Sequence, residues 1–183
     1  MGEVRIIGGQ WKRSKLPVPD APGLRPTSDR VRETLFNWLG QTLAGWHVLD
    51  AFAGSGALGF EAASREAAEV VLLERDSKLA AGLRASAQRL KATTLVVHAV
   101  DALAWMRSQP AGRFDLILLD PPFAADLFDA ALAAALPLLA DDGLIYVESP
   151  DGIAAPTGFT VWRQGRAGAV HYQLLRRGEN PAP

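Results

Sequence analysis

The chain has 183 residues, a formal net charge of −1 and 49% hydrophobic residues, a balance that fits one domain with a short extension rather than a disordered or fibrous chain. It contains no cysteine, which excludes disulfides, thiolate metal centres, iron–sulfur clusters and every cysteine-nucleophile mechanism. Charge is uneven, with +4 over residues 1–32, +3 over residues 160–183 and −8 between them, the pattern of a polyanion-binding rim beside a site for a cation.

In chain order, the opening MGEVRIIGGQWKR lacks the long apolar core of a signal peptide. VRIIGGQWKRSKLPVP reads as a short basic hairpin, with apolar Val4, Ile6 and Ile7, a turn at Gly8-Gly9, and Trp11 among cations. Pro17, Pro19, Pro22, Gly23 and Pro26 then mark a loop. A helix is expected from Thr27-Ser28-Asp29, a polar cap followed by Val31, Leu35, Trp38 and Leu39 at helical spacing.

From residue 46 strands and helices alternate. Strands are predicted at 47–52, 69–74, 94–100, 114–120 and 143–149, and Ala/Leu-rich helices at 56–67, 77–91, 101–108 and 125–139. Near-continuous aliphatic strands joined by helices predict an α/β fold with a parallel sheet covered on both faces. Two alternating stretches around Gly165-Arg166-Ala167-Gly168 predict a terminal β-hairpin. The longest apolar run, residues 130–140, is too short to span a bilayer and contains Pro137. The expectation is a soluble cytoplasmic monomer without membrane contact or an obligate protein partner. It has a basic arm over 1–26, a catalytic domain over 27–177 and a disordered tail over 178–183.

The first long strand runs into Ala53-Gly54-Ser55-Gly56, with Gly59 three residues on. Glycines here let the backbone turn tightly, approach a ligand and pack the next helix on the sheet. Glu74, ending the next strand with Arg75 beside it, can accept from ribose hydroxyls. NAD and S-adenosylmethionine both suit such a loop, and the acids separate them. Asp50, four residues ahead of Gly54, is unwelcome beside a pyrophosphate but attracts an ammonium. Asp101, with the Ala102 backbone, can accept from an adenine amino group. A cationic cofactor fits better. Helix capping is the competing reading for Asp50 and Asp101.

The fourth strand ends in Asp120-Pro121-Pro122-Phe123. Two prolines fix φ and remove two N–H donors, so the segment offers the Asp120 carboxylate, the Pro121 carbonyl and the Phe123 face. A flat ring carrying an NH2 group would use all three. The competing reading is a rigid turn with an acidic cap and a core Phe.

Together DAFAGSGALGFEA and DPPF resemble the class I S-adenosylmethionine-dependent methyltransferases that modify exocyclic amino groups. RIIGGQWKRSKL, LRPTSDRVRETLFNWL and HYQLLRR further resemble the bacterial 16S rRNA guanine-N2 methyltransferase family, RsmD-type, over residues 4–177. The resemblance implies a Rossmann-like, mostly parallel seven-stranded sheet whose last strand inserts antiparallel. It also implies methylation of one guanine amino group in 16S rRNA, within a small-subunit ribonucleoprotein. Catalysis would rest on Asp120, Pro121 and Phe123. The cofactor would be held by Asp50, Ala53, Gly54, Ser55, Gly56, Gly59, Glu74, Arg75, Asp101, Ala102 and Asp120. Ala51 stands where Leu is common, and Glu66 where Gly is frequent, which suggests a different helix end.

Arg5, Lys12, Arg13, Lys15, Arg25, Arg30 and Arg32 are candidate phosphate contacts, and Trp11 a stacking surface or a hairpin anchor. Arg25 and Arg30 could equally close over the cofactor pocket or hold Asp120. Trp38, Trp46, Trp105 and Trp162 read as core. His47, His98 and His171 lack metal-ligand spacing, and no metal is expected. Competing readings are a DNA or RNA adenine-N6 methyltransferase, a protein-glutamine methyltransferase, and an RNA-binding assembly factor that retains the fold.

Overall fold

In a computed structural model, which describes residues 2–122 and 126–178, the alternating pattern becomes a seven-stranded sheet. A separate hairpin pairs β1 (Gly2–Arg5) with β2 (Lys15–Val18) antiparallel. After helix α1 (Asp29–Leu39) come β3 (His47–Asp50), α2 (Ala57–Ser64), β4 (Glu69–Glu74), α3 (Ser77–Arg89) and β5 (Leu95–Ala99). Then follow α4 (Ala102–Arg107), β6 (Phe114–Leu119), α5 (Phe128–Ala135), a single 3-10 turn (Leu136–Leu138) and β7 (Leu139–Ser149). The chain closes with β8 (Phe159–Ala167) and β9 (Val170–Arg177).

Strand order is β5-β4-β3-β6-β7-β9-β8. The first five strands are parallel, and β9 inserts antiparallel between β7 and β8. The chain crosses from β3 outward to β5, then returns to place β6 on the other side of β3. The β3/β6 junction is therefore the switch point, where ligands of open parallel sheets bind outside the strand ends.

Each face of the sheet has its own core. The hairpin, α1, α2 and α3 cover one face around Leu35, Phe36, Phe60 and Leu72; α4 and α5 cover the other around Met106, Phe114 and Ile117. Each fully buried aliphatic or Phe side chain contributes about 1.5–3 kcal/mol, so both faces must be covered before the strands are stable. Trp38 stacks on Tyr172 at 5.4 Å between ring centres, while Trp105 packs near Phe114 and His98.

Three local expectations change. The N-terminal strands do not turn at Gly8-Gly9: residues 6–14 form a longer loop, because Gly8 and Trp11 bond to Ser64 in α2 instead of to each other. The helix expected over 125–139 ends at Ala135, since Pro137 has no N–H to continue it. β7 then starts at Leu139, not at 143. At the end of α2, Glu66 adopts φ 76°, the left-handed conformation that a glycine would favour. Its carboxylate accepts from the Thr42 hydroxyl at 2.8 Å. The helix end therefore has the shape a glycine would give it, with a glutamate in that place.

Gly178, the first residue of the tail expected over 178–183, is tied to the terminal hairpin. Gly178 N–H still donates to the Gly158 carbonyl at 2.9 Å, and residues 179–183 lie outside the described residues, as does Phe123.

Candidate active site

Four acids gather at the C-terminal ends of adjacent parallel strands: Glu74 on β4, Asp50 on β3, Asp120 just after β6, and Glu148 on β7. Asp50 and Asp120 flank the switch point. Asp50 is buried, and its Oδ2 accepts from the Gly59 N–H at 3.0 Å. Burial pushes its carboxyl up to about 7; the Gly59 bond opposes the shift, and the charges of Glu74 and Glu148 reinforce it. A neighbouring cation would reverse that shift, because opposite charge favours the ionised acid.

The glycine loop is built for close approach. Gly56 caps α2 at φ 80°, and its N–H closes a turn onto the Ala53 carbonyl at 2.7 Å. At Gly59 a Cβ would stand 2.6 Å from Leu72 Cδ1 and 3.1 Å from Asp50 Oδ2, so only hydrogen lets the helix lie on β4. Ser55 is buried and accepts from the Ala57 N–H at 3.3 Å. Glu74 accepts from Gly54 N–H at 2.9 Å and from Asp76 N–H at 3.0 Å. It thus holds the loop, with lone pairs to spare for a ligand. Arg75 is exposed. Asp101 is the cap of α4, accepting from Ala104 N–H at 2.9 Å; its carboxylate is exposed beside buried Ala102.

Asp120 is half-buried and Pro121 buried. The Asp120 carboxyl titrates well above the ordinary aspartate range, first because burial penalises its charge and then because Glu148 and Asp50 lie close. The site residues expected from the sequence did not include Glu148, Tyr146 or Thr27. Tyr146 donates to Glu148 Oε1 at 2.7 Å, and the Thr27 hydroxyl donates to the same oxygen at 3.0 Å. Tyr146 and Glu148 stand at i and i+2, one face of a strand, so two polar residues in the apolar run LIYVES were a readable signal. Thr27 lies 121 residues away in sequence and gave none.

Leu24 was also missed. It belongs to the loop between the hairpin and α1, and its Cδ1 lies 3.0 Å from where a Gly54 Cβ would be. The head therefore reaches over the glycine loop.

Of the proposed phosphate contacts, Arg5, Lys12, Arg13, Lys15, Arg25 and Arg30 are exposed. Lys15 pairs with Glu3 at 3.3 Å. Arg32 is a correction. It is fully buried; its Nε donates to the Thr27 carbonyl at 3.1 Å, its Nη1 to the Arg5 carbonyl at 2.8 Å, and its Nη2 to Asp29. That guanidinium holds the head to α1 and has no open face for a phosphate. Trp11 is half-buried against the main core, and its N–H donates to Ser64 Oγ at 3.0 Å. Among the described residues, no group of His, Asp and Glu is arranged to hold a metal ion, and no helix is long and apolar enough to cross a membrane.

Comparison with known proteins shows the family and the fold. The family model described as conserved hypothetical protein 95 matches residues 4–176. Ribosomal RNA small subunit methyltransferase D of Escherichia coli is 44% identical over 99% of this chain and 95% of its own length. The protein of that name from Haemophilus influenzae is 42% identical over 96% and 94%. The solved structure of the yhhF protein of Escherichia coli superposes with a TM-score of 0.87 at 41% identity, covering 96% of this chain and 98% of that one. A precorrin-6y methyltransferase from Geobacter metallireducens, 15% identical with a TM-score of 0.66, shares the fold. On the match over residues 4–176 and these full-length relatives, the chain belongs to the conserved hypothetical protein 95 family of RsmD-type methyltransferases.

Proposed function

We propose that this methyltransferase uses S-adenosyl-L-methionine to methylate the exocyclic N2 amino group of one guanine in 16S rRNA of the small ribosomal subunit. The observation that carries the reading is the position of Asp120. It stands at the switch point, backed by buried Pro121, with Asp50 and the glycine loop across the β3/β6 junction.

The residues present fit a cationic adenosyl ligand. Asp50 and Glu74 supply negative charge at adjacent strand ends and Asp120 an accepting oxygen, and hydrogen in place of a side chain at Gly56 and Gly59 lets α2 and its loop pack against Leu83, Phe60 and Leu72 beside those strand ends. Ala53, Gly54 and Ser55 complete the loop; Glu74 and Arg75 would hold the ribose, and Asp101 with Ala102 would hold the adenine. When bound, the cofactor supplies an electrophilic methyl group whose bond to sulfur is exchanged for a bond to the amino nitrogen.

The protein's own contribution is orientation and charge. A guanine amino group is a poor nucleophile because its lone pair is delocalised into the ring. Hydrogen bonds from that group to Asp120 and to the Pro121 carbonyl favour pyramidal nitrogen and offset the positive charge developing there. The N–H proton leaves to the acid cluster or to water after transfer. The sequence motif assigns Phe123 to stacking on the extruded base, whose unstacking costs a few kcal/mol. Exposed Arg5, Lys12, Arg13, Lys15, Arg25 and Arg30 supply phosphate contacts, and the open face of Trp11 a stacking surface.

The test is labelled-methyl transfer followed by nucleoside analysis. Label is expected in N2-methylguanine of 16S rRNA, and Asp120→Asn is expected to lower transfer by at least about a hundredfold while adenosylhomocysteine still binds. Label in N6-methyladenine would overturn the substrate. Full activity of Asp120→Asn would overturn the site.

A further inference from the structure

We propose that Glu148 is a positioning residue for Asp120: the two carboxyl groups share one proton, and Tyr146 and Thr27 lock Glu148 so that Asp120 turns an accepting oxygen towards the target amino group. This rests on the methyl-transfer reading above and adds a residue to its machinery.

Strand register makes the pair. In the parallel β6–β7 ladder Leu118 lies beside Tyr146 and Leu119 beside Val147, so the next step brings Asp120 level with Glu148. That register sets the two carboxyl groups close together. Glu148 is buried, as is Tyr146. The other ionisable groups facing the pair are Asp50 from β3, Glu74 from β4 through Asp50, and Tyr172 from β9 beside Tyr146. Among the described residues, no Lys, Arg or His forms an ion pair with Asp120, Glu148 or Asp50. Two carboxyl groups this close, one buried and one half-buried and with no cation beside them, disfavour double ionisation, so a proton takes the place of the missing counter-ion.

Its location follows from the donors. Glu148 already accepts two hydroxyl hydrogens, at 2.7 Å from Tyr146 and 3.0 Å from Thr27, while burial and its acidic neighbours favour the protonated form of Asp120. The shared proton therefore sits towards Asp120 and points at Glu148. That bond occupies the only O–H of Asp120 and leaves its other oxygen as a pure acceptor. An NH2 group needs such an acceptor, and a freely rotating carboxylic acid would present its O–H half the time. Thr27 stands between the basic head and α1, so the lock also ties the head to the catalytic strand ends.

Difference infrared spectroscopy of the carboxylic-acid C=O stretch tests this on the whole protein at pH 8, where Asp50 is mostly ionised. The wild-type protein is expected to show one buried protonated carboxyl, lost in both Glu148→Gln and Asp120→Asn and kept in Asp50→Asn. A single shared proton disappears when either owner is removed; a proton belonging to one acid alone survives loss of the other. Glu148→Gln is also expected to lower kcat by about tenfold to a hundredfold with little change in KM for the cofactor. Absence of the band in the wild-type protein, its survival in either variant, or an unchanged kcat in Glu148→Gln would overturn the proposal. Active Asp120→Asn would instead bring down the functional reading itself, whatever the spectrum shows.

Discussion

Asp50 shows how much one buried carboxyl can carry. Its folded-state pKa of about 7 stands above the usual 3.8. Below pH 4 both folded and unfolded chains hold the proton. Between pH 4 and 7 only the folded chain does, and each pH unit of rise removes up to about 1.4 kcal/mol of stability. Across the window the loss approaches about 4 kcal/mol. Urea unfolding at pH 5 and pH 8 is expected to show lower stability at the higher pH, and Asp50→Asn to flatten that difference. A cationic ligand draws Asp50 back to its charged form, so binding should release a proton near pH 7. Calorimetry in buffers of different ionisation heat would detect that release, and Asp50→Asn should abolish it. Equal stability at both pH values would contradict this account of Asp50.

The N-terminal hairpin is held as an element, and its attachment divides its cations into two kinds. Buried Glu61 of α2 accepts from Ile7 N–H at 3.0 and 3.1 Å and lies 3.5 Å from the Arg65 guanidinium. Arg65 packs over Phe36 at 4.8 Å, and Arg89 of α3 donates to the Lys15 carbonyl at 2.7 Å. With buried Arg32, these contacts make the head part of the domain and not a loose arm. Arg32→Ala is expected to cost about 3–5 kcal/mol, since it leaves the Thr27 and Arg5 carbonyls without their donor and removes a buried cation near Glu61. The double variant Lys12→Ala/Arg13→Ala should leave the melting temperature nearly unchanged. It should weaken RNA binding and reduce the salt slope by about one for each phosphate no longer neutralised. Thermal unfolding and salt-dependent binding, measured side by side, separate the two roles. A stable Arg32→Ala protein with weakened RNA binding would reverse the assignment.

At the scale of the whole molecule, the described residues form one seven-stranded sheet with one small docked hairpin. Six exposed cations of the head, spread over residues 5–30, can grip phosphates but give little base-edge readout. The terminal hairpin adds exposed Arg163 and Arg176 over the Trp162 ring at 4.5 and 5.4 Å. Selection of one guanine is therefore expected to depend on the shape of a ribonucleoprotein. Methyl transfer should be faster on assembled small subunits than on deproteinised 16S rRNA, by at least about tenfold in kcat/KM. Equal rates on both would show that sequence and RNA structure alone suffice.

Local order made much of this protein readable before folding. The aliphatic runs 69–74 and 114–119 required strands, and the helices between them required a parallel sheet. Gly56 and Gly59 announced a close backbone approach, and Asp120-Pro121-Pro122 a stiff acceptor at a strand end. These are properties of neighbours in sequence, fixed by φ/ψ limits, side-chain period and missing N–H groups. Burial and partnership are not. Arg32 looks like any surface cation until α1, the head and α2 close around it. Glu148 has no role until β7 settles beside β6 and the chain brings Thr27 back across 121 positions. Whether a charge meets water, a partner or another acid depends on which distant segments pack together. That is why the tertiary structure alone decided where the protons and the buried arginine sit.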